Sequence, residues 1–349
     1  MGRRNCVGLS FLAITIFCGA SSSKADGLKR IIEASFRNAI VKVDVSSQTP
    51  IIKDGKNLCL SEGTGFLLSS RYVASAGHVF DVDRGCGELT IVLKSRRNNI
   101  ARVAKLVASA DDVALLAVDD PFASPMCSIT LMDDVFNSDG FRIGIPGGLQ
   151  DPVPKEVVIG MDGEEWKPLV LLTPTPAEEG ESGGPILVDF NVVGILKAKH
   201  KQYTGYSFMT KASLLRKIML EQRIALDGSI CNPVNIRMIG NAANVRADHS
   251  LSAEDQDLVL SAIQKAATAK SAGAQDKVKV VSEGSSISIS GVPHVVIRQQ
   301  CTNILGGFRY CVPKPEIQDD PVAASAAANQ LAYEIKNQAA TTLWRDLKN

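Results

Sequence analysis

The sequence lacks three features that would assign it to other protein classes: a net charge, metal-ligand spacing and a long apolar run beyond its N-terminus. Its 38 Lys and Arg residues balance 37 Asp and Glu residues, which leaves a formal charge of +1. No overall electric field therefore attracts nucleic acid or acidic membranes. No Cys-x-x-Cys occurs, and His249 and His294 have no partner at ligand spacing. We expect no metal site and no nucleic-acid partner.

The longest apolar run lies at the N-terminus and has the layout of a secretory signal peptide. A positively charged start precedes an apolar stretch from Val7 to about Ala20, and small residues follow it. The stretch is short for a membrane span, and an uncleaved anchor is the alternative. We expect residues 1–25 to be removed, with cleavage after Ala20 or Ala25. The mature protein is then secreted or periplasmic, without stable membrane insertion.

Export changes the interpretation of the cysteines. Six remain after the predicted signal peptide, and an even number in an oxidising compartment favours disulfides. Sequence alone does not choose among the possible connectivities. Two local pairings are reasonable hypotheses, and they leave a third pair: Cys59–Cys86, Cys301–Cys311 and Cys127–Cys231.

The chain from about Phe36 to Tyr206 reads as short strands rich in valine, isoleucine and leucine, separated by Gly, Pro, Asp and Ser. Strands at this spacing are typical of an all-β barrel or sandwich. No βαβ rhythm and no internal repeat is visible. A helix is predicted over Lys211–Gln222, because its leucines, isoleucine and methionine fall on one face.

The remainder has a different character and matches no motif. We expect a β-rich domain over residues 26–226, a polar linker over 227–251 and a small α+β region of unknown role over 252–349. Ser252 is the expected cap of one helix. Asp320-Pro321 begins a second helix. That last helix carries an apolar stripe every four residues: Leu331, Ile335, Ala339, Leu343 and Leu347.

A candidate nucleophile, Ser182, lies in the run Gly180-Glu181-Ser182-Gly183-Gly184-Pro185. Glycine at 180 permits a turn that a Cβ would hinder, so that the amides of Gly180 and Ser182 can point at one spot. Such paired amides stabilise an oxyanion during acyl transfer. An ordinary tight loop is the structural alternative for this run.

Two upstream residues complete the groups that amide hydrolysis needs. His78 closes the run Val73-Ala74-Ser75-Ala76-Gly77-His78, at the end of the predicted strand Tyr72–Ser75, and is the candidate base. Asp112 directly precedes the apolar run Val113–Val118 and is the candidate group that orients the base. Asp111 is the alternative orienting residue. The order His, Asp, Ser differs from the subtilisin and α/β-hydrolase orders.

These segments together resemble the trypsin/chymotrypsin-like family of serine peptidases, in the compact form of its bacterial members. The resemblance covers roughly residues 34–223. It is carried by four segments in order: Gly63–Leu68, Val73–His78, Asp112–Leu116 and Gly180–Pro185.

The resemblance implies a mainly β fold of two packed six-stranded antiparallel β-barrels, here followed by the small α+β region. It implies a serine endopeptidase that cleaves protein or peptide substrates through His78, Asp112 and Ser182, with no cofactor. A protease-fold binding or scaffold protein that has lost turnover is the alternative function.

Several positions differ from the family pattern. Glu181 replaces the aspartate before the serine, and no Ile-Val-Gly-Gly N-terminus exists to pair with it; Arg30-Ile31-Ile32-Glu33 is a faint likeness. Lys197 replaces a small hydroxyl residue. The expected substrate-binding residues carry no acid that would hold Lys or Arg; they are Pro176, Ala177, Lys197, Ala198 and Lys199. We therefore expect no trypsin-like preference. A small or apolar residue before the scissile bond is expected, and acidic groups attracted by the two lysines are the alternative.

Overall fold

The structure is a computed structural model that describes residues 24–348 with internal gaps. The gaps are residues 83–84, 96–99, 123–126, 133–134, 163–168, 174–175, 200–205, 225–230, 240–241, 272–277, 292–294, 305–307 and 318–320. The predicted signal peptide therefore lies almost wholly outside the described residues. Two compact units make up the chain: residues 28–232, and residues 233–349 together with 1–27. Among the described residues, no helix is both long and apolar enough to cross a membrane.

The first described element is a helix, α1, over residues 24–36. Leu28, Ile31, Ile32 and Phe36 are fully buried, and their spacing puts them on one face of the helix. This helix was not predicted, although the spacing of its apolar residues is visible in the sequence. The segment that faintly resembles an activation site lies inside α1, with both of its isoleucines buried.

Six antiparallel strands close the first barrel in the ring order β1-β4-β5-β8-β7-β6. Alternate residues of β1, such as Val41, Val43 and Val45, are buried, as expected for a strand with one face in a core. The barrel strands are β1 (Ile40–Ser47), β4 (Ser61–Leu67), β5 (Tyr72–Ala76), β6 (Leu89–Ser95), β7 (Ile100–Ala110) and β8 (Val113–Val118), and a small hairpin is formed by β2 (Ile52–Lys53) and β3 (Lys56–Asn57).

A second ring of six antiparallel strands follows, in the order β10-β11-β14-β13-β12-β9. Two residue pairs between β12 and β9, Ile186 with Arg142 and Leu187 with Phe141, close it. The predicted pair of six-stranded barrels is confirmed. The strands are β9 (Ser138–Gly144), β10 (Val153–Asp162), β11 (Leu169–Thr173), β12 (Pro185–Val188), β13 (Asn191–Lys199) and β14 (Ser207–Lys211), followed by helix α2 (Ala212–Glu221).

Two of the three expected disulfides are present: Cys59 is bonded to Cys86, and Cys127 to Cys231. The second bond closes a long loop within the unit that holds both barrels. Cys301 and Cys311 lie directly opposite each other in the backbone register of an antiparallel hairpin. Their side chains lie outside the described residues, so the third disulfide stays a prediction.

The C-terminal unit contains a four-stranded sheet in the order β15-β16-β18-β17, against which two helices pack. Ser252 Oγ accepts from the N–H of Asp255 at 3.1 Å and so caps the first helix as predicted. All five residues of the predicted apolar stripe are buried. The elements are β15 (Val234–Ile239), β16 (Ala242–Ala247), α3 (Ala253–Ser271), β17 (Val278–Glu283), β18 (Ser286–Gly291), β19 (Val295–Ile304), β20 (Phe308–Ile317) and α4 (Pro321–Lys348).

The expected linker over residues 227–251 differs from the structure. Strands β15 and β16 occupy about half of it, and they pair from Val234 with Ala247 to Ile239 with Ala242. Asn and Arg residues give the segment a polar composition, but they alternate with Val and Ile. In β16 a period of two buries Ala243, Val245 and Ala247 on one face of the sheet, and composition alone misses that pattern.

Candidate active site

His78 lies at the point where a buried strand of the first barrel ends. β5 runs through the core, and a single 3-10 turn over Gly77–Phe80 follows it. The N–H of Gly77 donates to the carbonyl of Asp112 at 2.9 Å, which ties this turn to the start of β8. The His78 side chain is 37% exposed, so the imidazole is accessible to a substrate.

Asp112 lies in a two-residue turn between β7 and β8. Asp111 and Asp112 have φ angles of 50° and 64°, a conformation that aspartate tolerates better than most residues and that two-residue hairpins favour. His78 Nδ1 is 3.0 Å from Asp112 Oδ1, and the backbone N–H of His78 donates to the same oxygen at 2.7 Å. Asp112, rather than Asp111, therefore contacts the histidine.

A cation also lies beside this carboxylate. Lys197 Nζ is 3.5 Å from Asp112 Oδ2, where the family pattern has a small hydroxyl. Burial raises the pKa of Asp112, but the hydrogen bonds and charge of His78, together with the charge of Lys197, outweigh burial and leave that pKa below its ordinary value. Asp112 therefore stays ionised at neutral pH.

Ser182 is half-buried, and its hydroxyl has a defined partner. Ser182 Oγ donates to the carbonyl oxygen of Lys197 at 2.9 Å. The described contacts of Ser182 and His78 include no hydrogen bond between the two side chains. Because Lys197 contacts Ser182 through its carbonyl and Asp112 through its ammonium, the three predicted catalytic residues belong to one cluster.

The carbonyl groups of the loop before the serine all have donors. The carbonyl of Glu178 accepts from Glu181 N at 3.2 Å, and that of Glu179 accepts from Gly147 N at 2.6 Å. Thr64 Oγ1 donates to the carbonyl of Gly180 at 2.7 Å. Gly184 N donates to the carbonyl of Glu181 at 3.1 Å, and Thr64 N donates to that of Ser182 at 2.7 Å.

The two amides predicted to form the oxyanion hole are free. Among the described residues, the N–H groups of Gly180 and Ser182 have no acceptor. In a trans peptide the N–H points opposite to the preceding C=O, so fixing the carbonyls of Glu179 and Glu181 also fixes the directions of these N–H groups. Gly180 has a φ of +85°, and a Cβ there would lie 2.6 Å from the carbonyl oxygen of Ile145, which explains the glycine.

A buried ion pair supports the same loop. Glu181 is 0% exposed, and its carboxylate lies 3.2 Å from the guanidinium of Arg142 and 2.8 Å from the ammonium of Lys155. The same carboxylate also holds the backbone of the loop, because Glu181 Oε2 accepts a hydrogen bond from the N–H of Glu178 at 2.7 Å. Side chains of the second barrel thus neutralise Glu181.

Sequence reasoning missed Arg142, Lys155 and Thr64. One signal for Arg142 was present, since it is a single charge within the otherwise apolar run Phe141–Ile145, and such a charge requires a partner. Burial lowers the pKa of Arg142 and the charges of Glu181 and Glu178 oppose that change. An arginine remains charged in either case.

The structure describes only part of the expected substrate-binding set. Pro176 is exposed, Ala177 is buried, and the carbonyl of Pro176 accepts from Arg142 at 2.8 Å. Lys197 points to Asp112. The side chains of Ala198 and Lys199 lie outside the described residues, so their contribution stays a prediction.

One family of known proteins matches part of this chain. Residues 63–195 match the family model of the trypsin-like peptidase domain, a stretch that contains His78, Asp112 and Ser182. No curated protein is detectably similar to the chain in sequence.

Solved structures with a similar backbone include two proteases. The active form of the Rv3671c protease from M. tuberculosis is 20% identical, with a TM-score of 0.42, and the match covers 57% of this chain and 86% of that one. A serine-to-alanine variant of the HtrA-type protease AlgW, solved with a tripeptide, is 18% identical, with a TM-score of 0.44, and the match covers 57% of this chain and 62% of that one.

Proposed function

We propose that this chain, which carries a trypsin-like peptidase domain, is an exported serine endopeptidase whose nucleophile is Ser182. The observation that carries the proposal is the pair of free N–H groups, of Gly180 and Ser182, beside the His78–Asp112 pair. The carbonyls from Glu178 to Ser182 are all bound, and the amides of Gly180 and Ser182 have no acceptor among the described residues, which suits this loop to binding an oxyanion.

The proposed reaction begins with rotation of the Ser182 side chain. Its hydroxyl leaves the carbonyl of Lys197 and donates to His78 Nε2, which is an acceptor when Nδ1 carries a proton and donates it to Asp112. Ser182 Oγ then attacks the carbonyl carbon of the scissile bond while His78 takes the hydroxyl proton. Asp112 stabilises the resulting imidazolium.

The second half of the cycle restores the enzyme. His78 gives its proton to the leaving amine, the C–N bond breaks, and an ester joins the acyl group to Ser182 Oγ. Water then attacks the ester while His78 accepts a proton, and the acid product leaves as the proton returns to Ser182. The N–H groups of Gly180 and Ser182 donate to the oxyanion in both tetrahedral intermediates.

We propose protein or peptide substrates without a preference for Lys or Arg before the scissile bond. Neither Pro176 nor Ala177, at the expected pocket floor, supplies a carboxylate that would bind a cationic side chain. A small or apolar residue is the expected preference. Cleavage of a peptide library mainly after Lys or Arg would contradict this assignment.

Export is proposed from the N-terminal signal pattern and is supported by the Cys59–Cys86 and Cys127–Cys231 disulfides, since such bonds persist in oxidising compartments. N-terminal sequencing of the mature protein tests it. A new N-terminus at Ser21 or Asp26 is expected, and an intact Met1 in the extracytoplasmic protein would contradict cleavage.

One observation favours the non-catalytic alternative: the hydroxyl of Ser182 is bonded to Lys197 and not to His78. A scaffold would keep that bond, whereas an enzyme must exchange it. In an apo enzyme, catalytic hydrogen bonds often tighten only when substrate binds. Unchanged biological performance by Ser182→Ala would select the scaffold.

A fluorophosphonate probe tests the proposal directly, because it labels only an activated serine. Labelling is expected for the wild type and for Ser138→Ala, a control at the start of β9. It should be absent from Ser182→Ala. Equal labelling of wild type and Ser182→Ala would refute the proposal.

A further inference from the structure

A single threonine of the first barrel holds the candidate oxyanion loop of the second. Thr64 lies on β4 and is 0% exposed. Its hydroxyl donates to the carbonyl of Gly180 at 2.7 Å and accepts from the N–H of Ile145 at 2.8 Å. Its backbone N–H donates to the carbonyl of Ser182 at 2.7 Å. One residue therefore contacts both of the residues whose amides are free.

Local structure does not fix this loop by itself. Gly180 and Gly183 both have positive φ, and a residue without a Cβ can move between backbone regions at little cost. Contacts from outside the loop must then select one conformation. The Thr64 hydroxyl supplies such a contact. Its two hydrogen bonds join Gly180 of the loop to Ile145, the residue that follows β9.

The hydroxyl cannot be replaced by an apolar group without consequence. The contact between Thr64 and Gly180 is buried, so a valine of the same shape at position 64 would leave the carbonyl of Gly180 and the N–H of Ile145 without their partner. Rotation of the Gly180–Glu181 peptide would let the carbonyl of Gly180 accept a hydrogen bond from another donor. That rotation changes ψ of Gly180 and φ of Glu181, the two torsions that join this peptide to its neighbours. The neighbouring peptides carry the N–H groups of Gly180 and Ser182, which therefore shift relative to the oxyanion.

We propose that Thr64 is a positioning residue for the oxyanion hole, acting through its side-chain hydroxyl. The inference rests on the proposed function, since an oxyanion hole has meaning only for an acyl-transfer enzyme. Thr64 touches no reacting atom. Its effect should therefore fall on the stabilisation of the transition state and leave substrate binding nearly unchanged.

The test compares Thr64→Val, which removes the hydroxyl and keeps the shape, with Thr64→Ser, which keeps the hydroxyl. Loss of one oxyanion donor typically lowers kcat about 100- to 1000-fold, and misplacement of a donor costs less. We expect kcat of Thr64→Val to fall about 10- to 100-fold, with KM within about threefold of the wild type. Affinity for a peptide boronic acid should fall by the same factor as kcat, and Thr64→Ser should restore both.

Thr210→Val is the matched control, because Thr210 is a buried strand threonine whose hydroxyl has no hydrogen-bond partner among the described residues. It should leave kcat unchanged. All rates are divided by the concentration of active sites, titrated with the fluorophosphonate, so that misfolded protein does not count. If Thr64→Val does not fold, Thr64→Ala takes its place in the comparison with Thr64→Ser.

Three results would overturn the inference. The first is an unchanged kcat in Thr64→Val, and the second is a kcat that falls as far in Thr64→Ser as in Thr64→Val. The third is a Thr64→Val variant in which only KM changes. Failure of the proposed function looks different. In that case the wild type and Ser182→Ala hydrolyse peptides at the same rate. A Ser182-dependent wild type with a fully active Thr64→Val variant removes the role of Thr64 alone.

Discussion

Replacement of Arg142 by methionine removes the cation that faces Glu181 inside the second barrel. The two side chains are 1% and 0% exposed, and their charged atoms are 3.2 Å apart. Methionine is close to arginine in length and fills most of its space without a charge. The variant therefore leaves the Glu181 carboxylate buried, with Lys155 as its remaining cation.

The size of the effect follows from these contacts. Breaking a buried pair by removing one partner costs about 3–5 kcal/mol, because the other charge stays desolvated. Lys155, at 2.8 Å and with its side chain 21% exposed, still compensates in part, which favours the lower end. The hydrogen bond from Arg142 to the carbonyl of Pro176 is also lost, at about 1 kcal/mol. We expect a total loss of about 3–4 kcal/mol.

Urea unfolding measures the loss in the free energy of unfolding. The hydrolytic rate of the folded fraction shows whether the loop that holds Ser182 keeps its conformation. Adding Glu181→Gln to the variant should cost less than the two single changes together, since no unpaired charge then remains. Lys105→Met, which removes an exposed cation paired with Asp119, should have no measurable effect. A loss below about 1 kcal/mol for Arg142→Met with normal activity would refute the reasoning.

Further predictions concern pH and covalent bonds. The pKa of Asp112 is lowered in the fold from an ordinary value of 3.8. Its carboxylate therefore stabilises the fold above that value, and this contribution is lost as the pH falls through the folded pKa. The difference in unfolding free energy between wild type and Asp112→Asn should be largest at neutral pH and shrink below about pH 4; a difference independent of pH would contradict this. Serine substitution at Cys127 and Cys231 opens a link across 104 residues and should cost up to about 5 kcal/mol in chain entropy, against up to about 3.5 for the 27-residue link Cys59–Cys86. Denaturant midpoints that rank the two losses in the opposite order would contradict the entropic account.

The barrels and the positions of the candidate catalytic residues were predictable because both depend on local patterns. Strands show in the sequence as runs of β-branched residues between turn residues. His78 ends such a run and Asp112 precedes one, so that any barrel joining β5 to β8 brings them close. The antiparallel pairing of Ala76 with Val113 does this in the structure.

The contacts that Thr64 and Arg142 make with the loop before Ser182 were not predictable. They depend on how strands far apart in the sequence pair with each other. Thr64 and Gly180 are 116 residues apart, and nothing in either segment indicates the other. Arg142 is identifiable as a charge that needs a partner, but only the pairing of β9 with β12 places it near Glu181. The position of Lys197 at Asp112 likewise follows from the course of β13.

Peptide-bond hydrolysis by matched wild-type and Ser182→Ala proteins is the decisive test of Ser182 as the nucleophile. Substrates are an unfolded protein and a peptide library, and Ser138→Ala serves as the control. Loss of a catalytic nucleophile costs on the order of 10⁴-fold or more in kcat. We expect the wild-type rate to fall at least that far in Ser182→Ala and to be kept in Ser138→Ala. A rate that survives in Ser182→Ala would contradict it.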